Sequence, residues 1–311
     1  MAFTSSSPLR LLAIWRDRAG AFSTPRAVAL AMAVAPALPL LARIATHDLG
    51  PRPLTEVSHV TGLWAVRLLA ATLAVTPLIA LLRRPRFASS RRILGVAVFV
   101  WMVTHFVAFV ADKSFDPVVV AHEIALRVYL LIGFAAFLTL GALAATSTDR
   151  MIARLGAERW RNLHRLVYLV VALGLVHFFM QAKEDISEPT AMAGLFALLG
   201  AMRLARRFGR QLTPLTVAIL SIVVAAGAAA LEAAWFAWKF GAPFMTVIAA
   251  DFDLSMGLRP CWLPLIAGLA FGALGLLSGL ARRPSALREE HRRLDPSMSS
   301  AGRWIASLRW R

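Results

Sequence analysis

The sequence holds a single cysteine, Cys261, in 311 residues. One thiol excludes an intramolecular disulfide and any cysteine-ligated iron–sulfur or zinc site within the chain. Charge is also scarce: Asp, Glu, Lys and Arg make up 16% of residues, against about 25% in a typical soluble domain. Acidic groups are the scarcer, 17 against 34 Lys plus Arg, giving a formal net charge of +17. No glycine-rich dinucleotide fingerprint and no P-loop occurs, so the chemistry must fall inside a helix bundle or on a partner. What abounds is apolar, with 59% hydrophobic residues. A soluble fold of this length could not hide so much apolar surface, whereas lipid removes the need to. The basic excess could signal nucleic acid, but the arginines sit in short clusters between apolar runs, which is the orientation signal of a membrane protein.

A helix needs about 20 apolar residues to cross the hydrocarbon core. Counting such runs predicts an all-α, polytopic transmembrane bundle of eight helices over 27–45, 61–82, 93–111, 119–145, 162–180, 190–205, 214–238 and 260–281. Residues 1–26 form a basic leader (Arg10, Arg16, Arg18, Arg26), and the first run is read as a retained anchor rather than a secretory signal. Every second loop is rich in arginine: 83–92 (RRPRFASSRR), 146–161 (Arg150, Arg154, Arg159, Arg161) and 203–211, followed by the basic tail 282–311. The alternate loops, 112–118 (DKSFDPV), 181–189 (QAKEDISEP) and 239–259, are not. Arginine-rich loops face the cytoplasm, so an even helix count places both termini there.

Seven histidines are present. His47 and His59 are expected in the first outer loop, His122 at the outer edge of the fourth helix, and His291 in the tail, as solvated or interfacial groups. His105, His164 and His177 fall within the third and fifth helices, where ionisable groups are costly and usually functional. At 1.5 Å per residue, His105 lies about 18 Å and His177 about 22 Å from the inner ends of their helices, and His164 only about 3 Å. His105 and His177 therefore share a depth and could clamp one flat cofactor between two helices, as axial imidazoles do for haem iron. His164, about 20 Å from His177, is too far to share that metal and could serve a second haem near the inner face. Thirteen residues at about 100° each leave His164 and His177 roughly 140° apart around a straight helix, so either the helix bends or the two face different neighbours. Arg67 and Arg127 lie within about 12 Å of the outer surface. They are candidates for the two haem propionates, since a buried arginine needs an anionic partner and suits carboxylates; snorkelling to the outer headgroups is the alternative.

The stretches TGLWAVRLLAATLAVTPL (61–78), RRILGVAVFVWMVTHFVAF (91–109), LRVYLLIGF (126–134), LAATSTDR (143–150) and LGAERWRNLHRLVYLVVALGLVHF (155–178) together resemble the MsrQ (YedZ) family, within the ferric-reductase-like transmembrane group. The resemblance covers about 25–207. It implies a bacterial inner-membrane subunit that binds b-type haem, one or two groups, through His105, His164 and His177. It implies electrons arriving from the quinone pool or a cytoplasmic flavin reductase, and leaving to a periplasmic molybdopterin enzyme of the MsrP kind that reduces methionine sulfoxide in envelope proteins. It also implies FMN near the cytoplasmic side; Trp160, Arg161, Asn162 and Arg165, beside His164, are the candidates for flavin or donor contact, with an ordinary membrane anchor as the alternative.

The family core of six helices ends near residue 207, and 208–281 is an extension without a motif. Glu232 lies in it, expected either as an interfacial residue beside Lys239 or in a partner-docking or proton-linked role. Two other functions compete. A ferric or cupric reductase requires a soluble flavin and nicotinamide domain, and none is visible in these residues. A small-solute transporter predicts symmetry-related repeats, and the histidine-bearing third and fifth helices have no counterpart in the last three.

Overall fold

The computed structural model describes residues 15–16 and 20–280. The tail 282–311 with His291, and most of the basic leader, lie outside the described residues. Among the described residues, regular structure is helical apart from one isolated bridge between Arg16 and Phe22. The helices run in the order α1 (Thr24–Val34), α2 (Ala37–Ala45), α3 (Pro53–Leu82), α4 (Ser90–Asp112), α5 (Pro117–Leu126), α6 (Val128–Ala145), α7 (Asp149–Leu155), α8 (Ala157–His164), α9 (Val167–Gln181), α10 (Ser187–Arg207), α11 (Pro214–Phe240), α12 (Phe244–Asp251) and α13 (Trp262–Leu280).

Local chemistry sets several boundaries. α3, α5 and α11 open on proline, whose fixed φ suits a first helical position and whose missing N–H costs nothing there. Asp116 caps α5 by accepting from the backbone N–H of Val118 and Val119, and Thr213 caps α11 through Thr216 N. α3 starts at Pro53, two turns earlier than the apolar pattern indicated, so His59, expected in a loop, is helical.

Among the described residues, seven segments are long and apolar enough to cross a membrane: Thr24–Ala45, Pro53–Leu82, Pro85–Asp112, Val128–Ala145, Ala157–Gln181, Pro214–Phe240 and Trp262–Leu280. The sixth expected span, 190–205, exists as α10, but with Glu188 in its first turn and Arg203, Arg206 and Arg207 toward its end it does not qualify on apolarity. α10 is instead a helix packed against protein: Leu198, Leu199 and Met202 are completely buried. It contacts α3, α9, α11 and α13, and a helix shielded by neighbours has less need of an apolar circumference.

Three expected spans are broken, the first of them at Ala35–Pro36 between α1 and α2. The fourth divides at Arg127, whose backbone is extended (φ −109, ψ 106), into α5 and α6. The fifth divides at Arg165–Leu166 into α8 and α9. The loop expected over 146–161 carries α7 and the start of α8, parted at Gly156, whose φ of 76° favours glycine. α3 packs on α4, α6 on α9, and α11 on α13, while α10 and α13 also touch α3, so the extension is built onto the preceding helices.

Candidate functional site

Between the first two of these pairs lies a cavity of about 480 Å³, within the size range of small-molecule and cofactor pockets. It sits at the end of the bundle that carries the 112–118 and 181–189 loops. Its walls are mainly apolar, with Leu63, Met102, Phe106, Phe134, Phe137 and Phe178 among them. The phenyl rings pack on one another, Phe106 and Phe137 with centroids 5.0 Å apart.

His105 of α4 and His177 of α9 meet in this cavity, ring centroids 6.4 Å apart and planes at 86°. Each ring is held in the same way. His105 Nδ1 lies 2.7 Å from the carbonyl oxygen of Ser58, and His177 Nδ1 lies 2.7 Å from that of Tyr129. A carbonyl only accepts, so in both rings Nδ1 carries the proton and Nε2 keeps its lone pair. A helical glycine four residues after each carbonyl makes the approach possible. A Cβ on Gly62 would stand 2.9 Å from His105 Nδ1, and one on Gly133 would stand 2.7 Å from His177 Nδ1.

Two such nitrogens could hold one metal ion between them. Two imidazoles bound to one metal at about 2.0–2.1 Å per bond place their ring centres roughly 6 Å apart. Among the described residues no group of three or more His, Cys, Asp or Glu could hold a metal ion. Two imidazoles and an apolar aromatic slot therefore fit a metal whose remaining positions a flat macrocycle fills. Backbone hydrogen bonds on the far nitrogens fix ring orientation as outer partners do at metal sites.

Acidic residues form the rim: Glu56, Asp185 and Glu188 line the cavity. Arg43 pairs with Glu56 at 3.0 Å and Arg67 with Glu188 at 3.1 Å. Arg67 thus stands one carboxylate back from the cavity, its guanidinium over the Trp64 ring, and its anionic partner comes from the chain itself. Arg127 does not reach the cavity. It sits at the α5–α6 junction, exposed, with Glu123 at 2.8 Å, and the break in the helix carries it out of the span in which the sequence placed it.

His164 stands apart. It ends α8, its ring lies edge-on to Trp160 at 4.0 Å, and its Nε2 is buried without a hydrogen-bond partner among the described residues. The interruption at Arg165–Leu166 separates it from His177, so the two histidines face different neighbours. Trp160 donates from Nε1 to the carbonyl of Thr146 (2.9 Å), closing the end of α6, while Arg161, Asn162 and Arg165 are exposed.

The sequence reading missed Ser58, Gly62, Tyr129, Gly133 and the cavity-lining His59. The visible signal was glycine inside an apolar helix, which marks close approach of a neighbour. Glu232, expected near an interface, is completely buried.

The family model described as "Ferric reductase like transmembrane component" matches residues 61–175. Among curated proteins, the chain is similar to the protein-methionine-sulfoxide reductase heme-binding subunit MsrQ of Ralstonia nicotianae, 40% identical over 57% of this chain and 85% of that protein. The MsrQ of Polaromonas naphthalenivorans is 42% identical over 50% of this chain and 72% of that protein. That of Rhodospirillum rubrum is 38% identical over 58% and 91%. No solved structure matches. With seven apolar segments and a transmembrane family model, this is a multi-pass membrane protein.

Proposed function

The chain belongs to the MsrQ family of haem-binding subunits of protein-methionine-sulfoxide reductase, and from that premise we propose that it carries electrons across the bacterial inner membrane on b-type haem. The donor is quinol or a cytoplasmic flavin reductase. The acceptor is a periplasmic molybdopterin methionine sulfoxide reductase of the MsrP kind, which repairs oxidised envelope proteins. The observation that carries this reading is the opposed pair His105 and His177, each with Nδ1 tied to a backbone carbonyl and Nε2 free.

In this reading His105 and His177 would hold the haem iron through Nε2, and the phenyl side chains of the cavity would pack on the group and exclude water. Haem held there supplies one-electron chemistry at its iron. The carbonyls of Ser58 and Tyr129 hold the rings in one orientation and raise their basicity as ligands. The arginine-rich loops face the cytoplasm, which puts the cavity toward the periplasmic acceptor. His164, with its unpartnered Nε2, belongs to the donor side as a ligand for a second haem, and Trp160, Arg161, Asn162 and Arg165 beside it form the contact for FMN or the donor.

Protein purified from membranes is expected to be red, with a Soret band and split bands on reduction. His105→Ala and His177→Ala should each lose the cavity haem while still inserting into the membrane, whereas His164→Ala should keep it. A folded, colourless wild type, or full haem content in both cavity variants, would overturn the proposal.

A further inference from the structure

The extension contains a cluster of ionisable groups buried beside the cavity. Glu232 of α11 and Asp251, the last residue of α12, are both completely buried. Arg259 donates to both, from Nη2 to Glu232 Oε1 and from Nε to Asp251 Oδ1 at 3.4 Å. One guanidinium against two carboxylates leaves one negative charge over, in a place where an uncompensated charge is costly. The second oxygen of each acid, Glu232 Oε2 and Asp251 Oδ2, is buried with no hydrogen-bond partner among the described residues. Both carboxyl groups converge on the one guanidinium of Arg259. Two ionised carboxylates can only accept, so neither can satisfy the other; protonating one supplies the O–H donor that is lacking. The same proton neutralises the cluster.

The other ionisable groups that act on the pair are Asp185, from the loop between α9 and α10, and Cys261. The thiol is held up to about 11 by burial, so it is uncharged at neutral pH. Asp185 lines the cavity and also feels Arg259. The same loop is fastened to α11 by Lys239, which donates to the Lys183 carbonyl. The loop that carries Asp185 therefore joins the cavity to the helix that carries Glu232.

We propose that Glu232 and Asp251 form a proton-binding site, holding one proton between them at neutral pH, and that its occupancy is linked through Asp185 to the charge of the cavity between His105 and His177. The linkage rests on the function proposed above; the shared proton does not. When the cavity gains one electron from its quinol or flavin donor, the pair takes one proton from water and passes from one proton to two. When the electron leaves, the proton leaves, and the charge added and removed is the same.

Infrared spectra of the purified full-length protein in H2O and D2O at neutral pH test the first half. The wild type should show a deuterium-sensitive C=O stretch of a protonated carboxyl group. Glu232→Gln and Asp251→Asn should each lose it, since an amide NH2 can donate to the remaining carboxylate in place of the proton and keep the fold. Absence of the band from the wild type, or its survival in both variants, would overturn the shared proton, and the wild-type spectrum serves even where a variant does not fold. Haem titrations across a pH series test the second half: the midpoint potential should fall as pH rises in the wild type and lose that slope in both variants. A slope equal to that of the wild type in both variants, or no slope in haem-loaded wild type, would overturn the linkage. Protein that holds no haem would refute the function proposed above and leave the infrared result to decide the proton alone.

Discussion

At the scale of single residues, the site depends on two absent side chains. Gly62 and Gly133 each leave room for an imidazole whose Nδ1 bonds to the carbonyl one turn earlier, of Ser58 and Tyr129. Alanine at either position puts a methyl group under 3.0 Å from the ring, so the ring must turn away and its Nε2 leaves the common axis. Gly62→Ala and Gly133→Ala are each expected to weaken haem binding by about 10- to 100-fold, the usual effect of disturbing a metal ligand's outer partners, as read by haem titration of the purified protein. Gly200→Ala is the matched control. Nothing lies within 4 Å of a Cβ there, and alanine in a helix is favoured over glycine by about 0.5–1 kcal/mol, so its haem content should equal that of the wild type. The glycines were legible in the sequence as small residues within apolar runs. Which ring each one faced was not, because that depends on how α3 meets α4 and how α6 meets α9.

At the scale of elements, α3 carries proline in its interior and stays helical. Pro77 has no N–H to give to the Leu73 carbonyl. Arg203, from α10, donates to that carbonyl from Nη2 at 2.6 Å and to Thr76 Oγ1 at 3.2 Å, and its Nη1 reaches Tyr168 of α9 at 3.1 Å. One guanidinium thus ties three helices at the point where the proline frees an acceptor. Arg203→Met should lower stability by about 1–3 kcal/mol, the cost of leaving a buried polar group unsatisfied, measured by unfolding in detergent. In a Pro77→Ala background the same change should cost less by about 1 kcal/mol, because the backbone N–H restored by that substitution takes over the Leu73 carbonyl; equal costs in both backgrounds would disprove the pairing. The breaks at Arg127 and at Arg165–Leu166 were hidden for a related reason. Neither site has the proline or glycine that punctuates a sequence, and the apolar pattern runs through both.

At the scale of the whole molecule, the distribution of arginine predicts an orientation. A cysteine introduced by Ser114→Cys, in the α4–α5 loop, should react with a membrane-impermeant thiol reagent in cells whose outer membrane has been permeabilised. Arg86→Cys, in the arginine-rich turn between α3 and α4, should react only after the inner membrane is opened; labelling in the opposite sense would reverse the proposed direction of electron flow. The native thiol leaves the background low. Cys261 is buried, which raises its pKa to about 11, and the thiolate is the reactive form. Its labelling should be slow at pH 7 and quicken as pH climbs toward 11. The extension, for which the sequence offered no motif, proves part of the same body. α11 and α13 pack on α10, and α13 also on α3, while Lys239 and Arg259 act on the loop that closes the cavity's rim.

Legible in the sequence alone were the helical class, seven of the eight expected spans and the similar depth of His105 and His177, because composition and rise per residue act along one chain and need no partner. Only the packing of the helices settles which nitrogen of each ring is free, that Arg67 answers to Glu188, that α10 is shielded by protein, and that Glu232 and Asp251 share Arg259. Each of these is a contact between segments distant in sequence. Its energy comes from desolvation and hydrogen bonding across an interface, which exists only once the helices have packed.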